Sequence, residues 1–175
     1  MSYSAVIWVG CALLVFWCVG LYNRLMRIRA QALVEMNAVE QSLKRYVDLG
    51  KVYGADTFYD DQDRDWMLLC DSLHKLETHV NDQQPSRLDP KWVQTTQVLF
   101  HCMQDAWTVL AGRSADLAGS AVPEPMRLQW EACALSLLTS HQRYNEAVLR
   151  YTEALDQFPA RLVVGAMKFE ALQKL

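Results

Sequence analysis

Residues 1–29 read MSYSAVIWVGCALLVFWCVGLYNRLMRIR. The first 23 carry no charged side chain, and Arg24, Arg27 and Arg29 then follow in quick succession. As an α-helix, Ser4 to Tyr22 spans roughly 28 Å at about 1.5 Å per residue, close to the hydrocarbon thickness of a bilayer. Val6, Ile7, Val9, Leu13, Leu14, Val15, Phe16, Val19 and Leu21 each favour insertion by roughly 0.3–0.6 kcal/mol at mid-helix, enough to outweigh the Gly and Ser penalties. Trp8, Trp17 and Tyr22 add aromatic rings, with Tyr22 at the level of a headgroup belt. A cleaved secretory signal needs its positive charge before the apolar core, and here the charge comes after it. A lipoprotein reading would acylate Cys11, but Trp8 stands where a small aliphatic belongs and the apolar run continues well beyond. The sequence therefore predicts a short N-terminal segment (1–3) and a retained transmembrane anchor (4–23). Basic residues stay on the cytoplasmic side, so the expected topology is single-pass, with the N-terminus outside and the rest of the chain in the cytoplasm.

Beyond the anchor the apolar residues keep stepping by three and four. Leu25, Ile28, Ala32, Met36, Val39, Leu43 and Tyr46 form one stripe with no Gly or Pro before Gly50, so the anchor and the first body helix are expected to be one rod of roughly 45 residues, about 70 Å long. Asp60, Asp61, Asp63 and Asp65 gather where negative charge suits a helix N-terminus, ahead of a second stripe: Trp66, Leu69, Leu73, Leu76 and Val80. Asp89-Pro90 reads as an N-cap with proline in the first helical position. It opens a third stripe of Val93, Thr96, Phe100, Met103, Trp107 and Leu110, which is expected to stop at Gly112. After a Gly/Ser/Ala/Pro-rich loop come Trp130, Ala134, Leu137, His141, Tyr144, Val148, Tyr151, Leu155 and Phe158, ended by Pro159. Period-two alternation is missing from the body. The expected fold is all-α: a single transmembrane helix continuing into an antiparallel four-helix bundle (residues 24–159, helices at about 24–50, 61–81, 90–111 and 125–158), followed by an amphipathic tail at 160–175. That tail, with Leu162, Val163, Val164, Met167, Phe169 and Leu172, is too apolar to stay free in water. It should either cap the bundle or lie in the membrane interface.

Composition narrows the function. A net charge of −3 over 175 residues argues against nucleic acid as a partner, because phosphate binding needs a basic field. Five cysteines, Cys11, Cys18, Cys70, Cys102 and Cys133, include no C-x-x-C pair and read as small buried hydrophobes in a reducing compartment. Cys11 and Cys18 fall on one face of the span near Gly10, a spacing compatible with a homo-oligomer formed through the membrane, although lipid-facing side chains are the commoner explanation.

Catalytic and metal-binding signals are weak. Asp61-Gln62-Asp63-Arg64-Asp65 imitates the start of a calcium loop, but Trp66 takes the glycine position and Ser72 the bidentate glutamate position. Asp71 and His74 lie one turn apart as in di-metal bundles, but the second such pair is missing at His79, His101 and His141. His141 lies on the apolar stripe of the fourth helix and reads as a core or inter-helix residue rather than a general base. No catalytic, cofactor or metal residue is therefore assigned. Arg24, Arg27 and Arg29 are placed to touch anionic lipid headgroups, each worth on the order of 1 kcal/mol.

Tyr22-Asn23-Arg24-Leu25-Met26-Arg27-Ile28-Arg29 after the anchor, and Arg143-Tyr144-Asn145-Glu146-Ala147-Val148 with Tyr151 and Phe158-Pro159 near the end, resemble the opening and closing motifs of the LemA family of bacterial membrane-anchored helical proteins. Ser42 to Leu49 occupies the place of that family's central segment, with Gly50-Lys51-Val52 in place of its I-P-N. The resemblance covers about half of the chain and marks it as a divergent LemA-like protein. It implies a helical bundle on the bacterial cytoplasmic (inner) membrane. Since no biochemical activity is established for the family, it supplies no catalytic residues.

Together these observations favour a non-enzymatic, membrane-tethered interaction or scaffold protein, with the bilayer and another membrane or cytoplasmic protein as partners. A membrane-surface or lipid-organising protein is the alternative. A metal-dependent helical-bundle enzyme would rest only on Asp71, His74, His141 and the Asp60 to Asp65 cluster.

Overall fold

The computed structural model describes residues 2–54, 63–82, 88–113, 122–157 and 172–175. These form four α-helices and no strand: α1 (Ser2–Gly54), α2 (Arg64–Asn81), α3 (Pro90–Ala111) and α4 (Glu124–Asp156). Residues 160–171, Phe158-Pro159 and the acidic pair Asp60-Asp61 lie outside the described residues.

The 53 residues of α1 run unbroken, about 80 Å at 1.5 Å per residue. It is the one helix among the described residues long and apolar enough to cross a membrane. The most apolar window on this helix has a mean hydropathy of 1.9, and none of that window is buried. Phe16 is 82% exposed and Trp8 74%, a display of apolar surface far beyond the patches that a water-soluble monomer tolerates. Leu25 is the first fully buried residue along the rod, so the change from outward-facing apolar surface to packed core coincides with the arginine run.

The expectation that the first body helix stops at Gly50 is corrected: α1 continues through Gly50 to Gly54. A Cβ at Gly50 would collide with Leu73 Cδ1 of α2. The glycine is therefore a point of close helix approach rather than a terminator, and a glycine inside a helix costs only about 1 kcal/mol. Lys51 pairs with Glu77 beside the same crossing.

Local chemistry sets the other helix ends. Asp63 caps α2 by accepting the Asp65 N–H at 3.0 Å. Asp89 accepts the Lys91 N–H at 2.9 Å, with Pro90 in the first turn of α3. These side chains satisfy N–H groups that have no partner inside their helix.

Side-chain contacts join the helices in pairs. On α1, Tyr46 meets Trp130, Ser42 meets Ser136 and Ser140, and Leu25 clusters with Tyr151, Ala154 and Leu155 of α4. Between α2 and α3, His79 meets Trp92 and Thr96, while Asp63 pairs with Arg113 beyond the far end of α3. One large core joins Met36, Leu43, Leu69, Leu76, Met103, Leu137 and Tyr144 from all four helices. A smaller cluster of Leu25, Tyr151, Ala154 and Leu155 lies nearer the exposed apolar stretch of α1, and Leu172 touches both.

Candidate functional site

Two places combine exposed or polar chemistry with a fixed framework. One is the junction between the apolar part of α1 and the core. There Leu25 is buried and locks the helix to α4, while Tyr22, Asn23, Arg24, Arg27 and Arg29 are exposed around it. The helical period produces this split, because residues 24, 27 and 29 flank the stripe defined by 25 and 28. Three guanidinium groups thus ring the rod where the packed body begins.

The other is the seam between α3 and α4, and it is built from bulky side chains. Trp107 stacks on Trp130 at 4.0 Å between centroids, Tyr46 meets Trp130 edge-on at 4.7 Å, and Phe100 meets His141 at 6.2 Å. Such rings hold two helices apart where Leu or Ala would let them close. Residues 172–175 lie across the same seam. Tyr144 Oη donates to the Gln173 carbonyl at 2.8 Å. Asn145 Nδ2 donates to the Leu175 carbonyl at 2.8 Å, and the Leu175 N–H donates back to Asn145 Oδ1 at 2.9 Å. Across the groove Gln97 Nε2 donates to the Lys174 carbonyl at 3.4 Å. Every one of these bonds goes to backbone, while Leu172 and Leu175 pack onto the apolar core.

The residues singled out by sequence near the end of the chain therefore have divided roles. Tyr144, Val148 and Tyr151 are buried in the core, Arg143 is exposed, and Asn145 is half-buried with its amide on the final residues. Burial pushes the Tyr144 hydroxyl up to about 12, which keeps it a hydrogen-bond donor. Asn145 as a clamp and residues 173–175 as its target were not read from the sequence. The available signal was an amide side chain beside a core tyrosine, with an apolar tail still unaccounted for.

The other candidate groups are placed apart. Asp71 pairs with Lys75 at 2.6 Å, and His74 lines the groove between α1 and α2 with Cys70, Leu73 and Glu77. Asp63 serves as the α2 cap. Burial would raise its carboxyl, but hydrogen bonds from Arg113 and the Asp65 N–H outweigh that and hold it below the usual range. His141 sits half-buried between α3 and α4 and is depressed by burial. Among the described residues no three His, Cys, Asp or Glu side chains gather as metal ligands.

The cysteines correct an expectation. Cys11 and Cys102 are exposed, Cys18, Cys70 and Cys133 are only partly buried, and all five are free thiols. Cys11 and Cys18 belong to the outward-facing apolar stretch of α1. Cys102 lines a groove of about 440 Å³ between α2 and α3, together with Leu68, Leu99, Val109, Asp65, Asp71 and Asp105.

Compared with protein-family models, with curated proteins and with solved structures, the chain matches none.

Proposed function

We propose that the chain is a non-enzymatic, membrane-tethered interaction protein of the LemA-like type, an antiparallel four-helix bundle held on the bacterial inner membrane by a single N-terminal span. The uninterrupted α1 carries this reading: its first half is exposed and apolar, and its second half is a core helix of the body. A bundle continuous with its anchor has a restricted height and tilt above the bilayer, which suits presenting one face to a partner. The arginines after the span orient the N-terminus outward and the body toward the cytoplasm. Tyr22, Asn23, Arg24, Arg143, Tyr144, Asn145, Val148 and Tyr151, together with Phe158 and Pro159, carry the family likeness. A second membrane or cytoplasmic protein is the proposed partner.

Cross-linking in native membranes followed by mass spectrometry tests this reading. A defined partner at fixed stoichiometry supports it, whereas purified protein that deforms anionic vesicles unaided would replace it with the lipid-organising reading. The exposed ring of Arg24, Arg27 and Arg29 favours that second reading, since each arginine adds on the order of 1 kcal/mol against an anionic surface.

A further inference from the structure

We infer that the groove between α2 and α3 docks a basic amphipathic helix of a partner protein. The inference rests on the interaction role proposed above and names the surface that role uses. The lining steps by three and four along each wall, over residues 65–75 of α2 and 99–109 of α3, about 15 Å or three helical turns. Two parallel ridges of that length form the valley into which a third helix lays side chains at i, i+3 or i+4, and i+7.

Two observations give the chemistry of that helix. The first is apolar surface that the body leaves open: Leu68 is 50% and Val109 57% exposed, while Leu99 and Ala106 of the same groove pack against the core and fix its shape. The second is the sign of the charge. Three aspartates, Asp65, Asp71 and Asp105, stand in the lining against one lysine, Lys75. Asp71 pairs with Lys75 at 2.6 Å, and Asp65 lies 3.7 Å from Arg113, which Asp63 also engages. Asp105 is exposed and has no ion-pair partner among the described residues. Asp65 and Asp71, six residues apart, are separated by about 9 Å along α2, and Asp105 stands on the other wall. Negative charge spread over both walls complements lysines and arginines on either side of an apolar helix stripe. A small ligand with a single cationic head would instead call for carboxylates converging on one point.

The test uses full-length protein in phosphatidylcholine nanodiscs, with Cys102 retained and the other cysteines replaced by alanine. The probe is a synthetic helical peptide of roughly 15 residues, with leucines on one stripe and lysines flanking it. A version with glutamate in place of lysine is its control. Cys102 is an exposed thiol in the groove, so its rate of maleimide labelling reports occupancy, and peptide fluorescence anisotropy against empty nanodiscs gives the affinity. The lysine peptide should slow labelling about tenfold at saturation and the glutamate peptide should leave it unchanged. Asp105→Lys should weaken binding of the lysine peptide about tenfold, and Leu68→Ser combined with Val109→Ser should abolish it. Leu135→Ser, at a leucine 67% exposed on α4, should have no effect. The comparison of the two peptides on the unaltered groove stands even where a variant misfolds. Equal protection by both peptides overturns the basic partner, and protection by neither overturns the groove. Protection that rises with the number of copies per disc and needs no peptide assigns the groove to a second copy and also overturns the inference. The interaction role itself is judged separately by cross-linking in native membranes, where a partner held elsewhere on the body keeps that role and discards this groove.

Discussion

Replacing Tyr144 separates its two roles, ring in the core and hydroxyl on the tail. The side chain is completely buried, and Tyr144→Ala removes the whole ring from a packed site, a loss of about 3–5 kcal/mol. Tyr144→Phe keeps the ring and deletes only the 2.8 Å bond to the Gln173 carbonyl. That carbonyl belongs to a half-buried residue which water can reach, so the cost is about 1 kcal/mol. At about 2–4 °C per kcal/mol for a body of this size, the alanine variant should melt roughly 6–20 °C lower and the phenylalanine variant only about 2–4 °C lower. Circular dichroism at 222 nm on full-length protein in nanodiscs measures both. The tail reports separately: hydrogen exchange at the Leu175 amide, held by Asn145 Oδ1, should accelerate in Tyr144→Phe while the helix amides of α4 stay protected. If Tyr144→Ala leaves the melting temperature unchanged and instead abolishes association with a partner, the core assignment fails and Tyr144 is a recognition residue.

At Gly50, replacement by alanine gains about 1 kcal/mol of helix propensity and meets Leu73 at an overpacking cost of about 1–3 kcal/mol. The variant should therefore be neutral to roughly 2 kcal/mol less stable, whereas the same change on a Leu73→Ala background should stabilise, and an equal effect in both backgrounds would refute the close approach. His141 has a folded-state pKa below its unfolded value of 6.5 because burial disfavours its charged form. The unfolded state therefore binds the proton more readily, and stability should fall as pH drops below about 6.5. The difference in melting temperature between the wild type and His141→Gln, followed from pH 8 down to roughly pH 5, isolates that contribution. For topology, an impermeant thiol label on intact cells, with native cysteines removed, should reach a cysteine at Ser2 and miss one at Ser114. The opposite pattern would place the body outside.

Local chemistry, readable along the chain, determined the helical class and the apolar span. Uncharged residues 1–23 followed by Arg24, the three-and-four stripes, and the caps at Asp63 and Asp89 each act within a turn or two of helix. A pattern of that range survives without knowledge of the partner helix. The tertiary structure alone decided what depends on distances between residues far apart in sequence. Gly50 looks like a helix stop until Leu73 is seen against it. Trp107 and Trp130, 23 positions apart, read as two separate core stripes until their rings stack and set the width of the α3–α4 seam. Asn145 looks like an ordinary polar residue beside a core tyrosine until the backbone of Leu175, thirty residues on, closes onto its amide. A helix stripe states which face is buried, but the identity and spacing of what buries it are set by packing. Side-chain volume and hydrogen-bond geometry settle those only after the chain has folded back on itself.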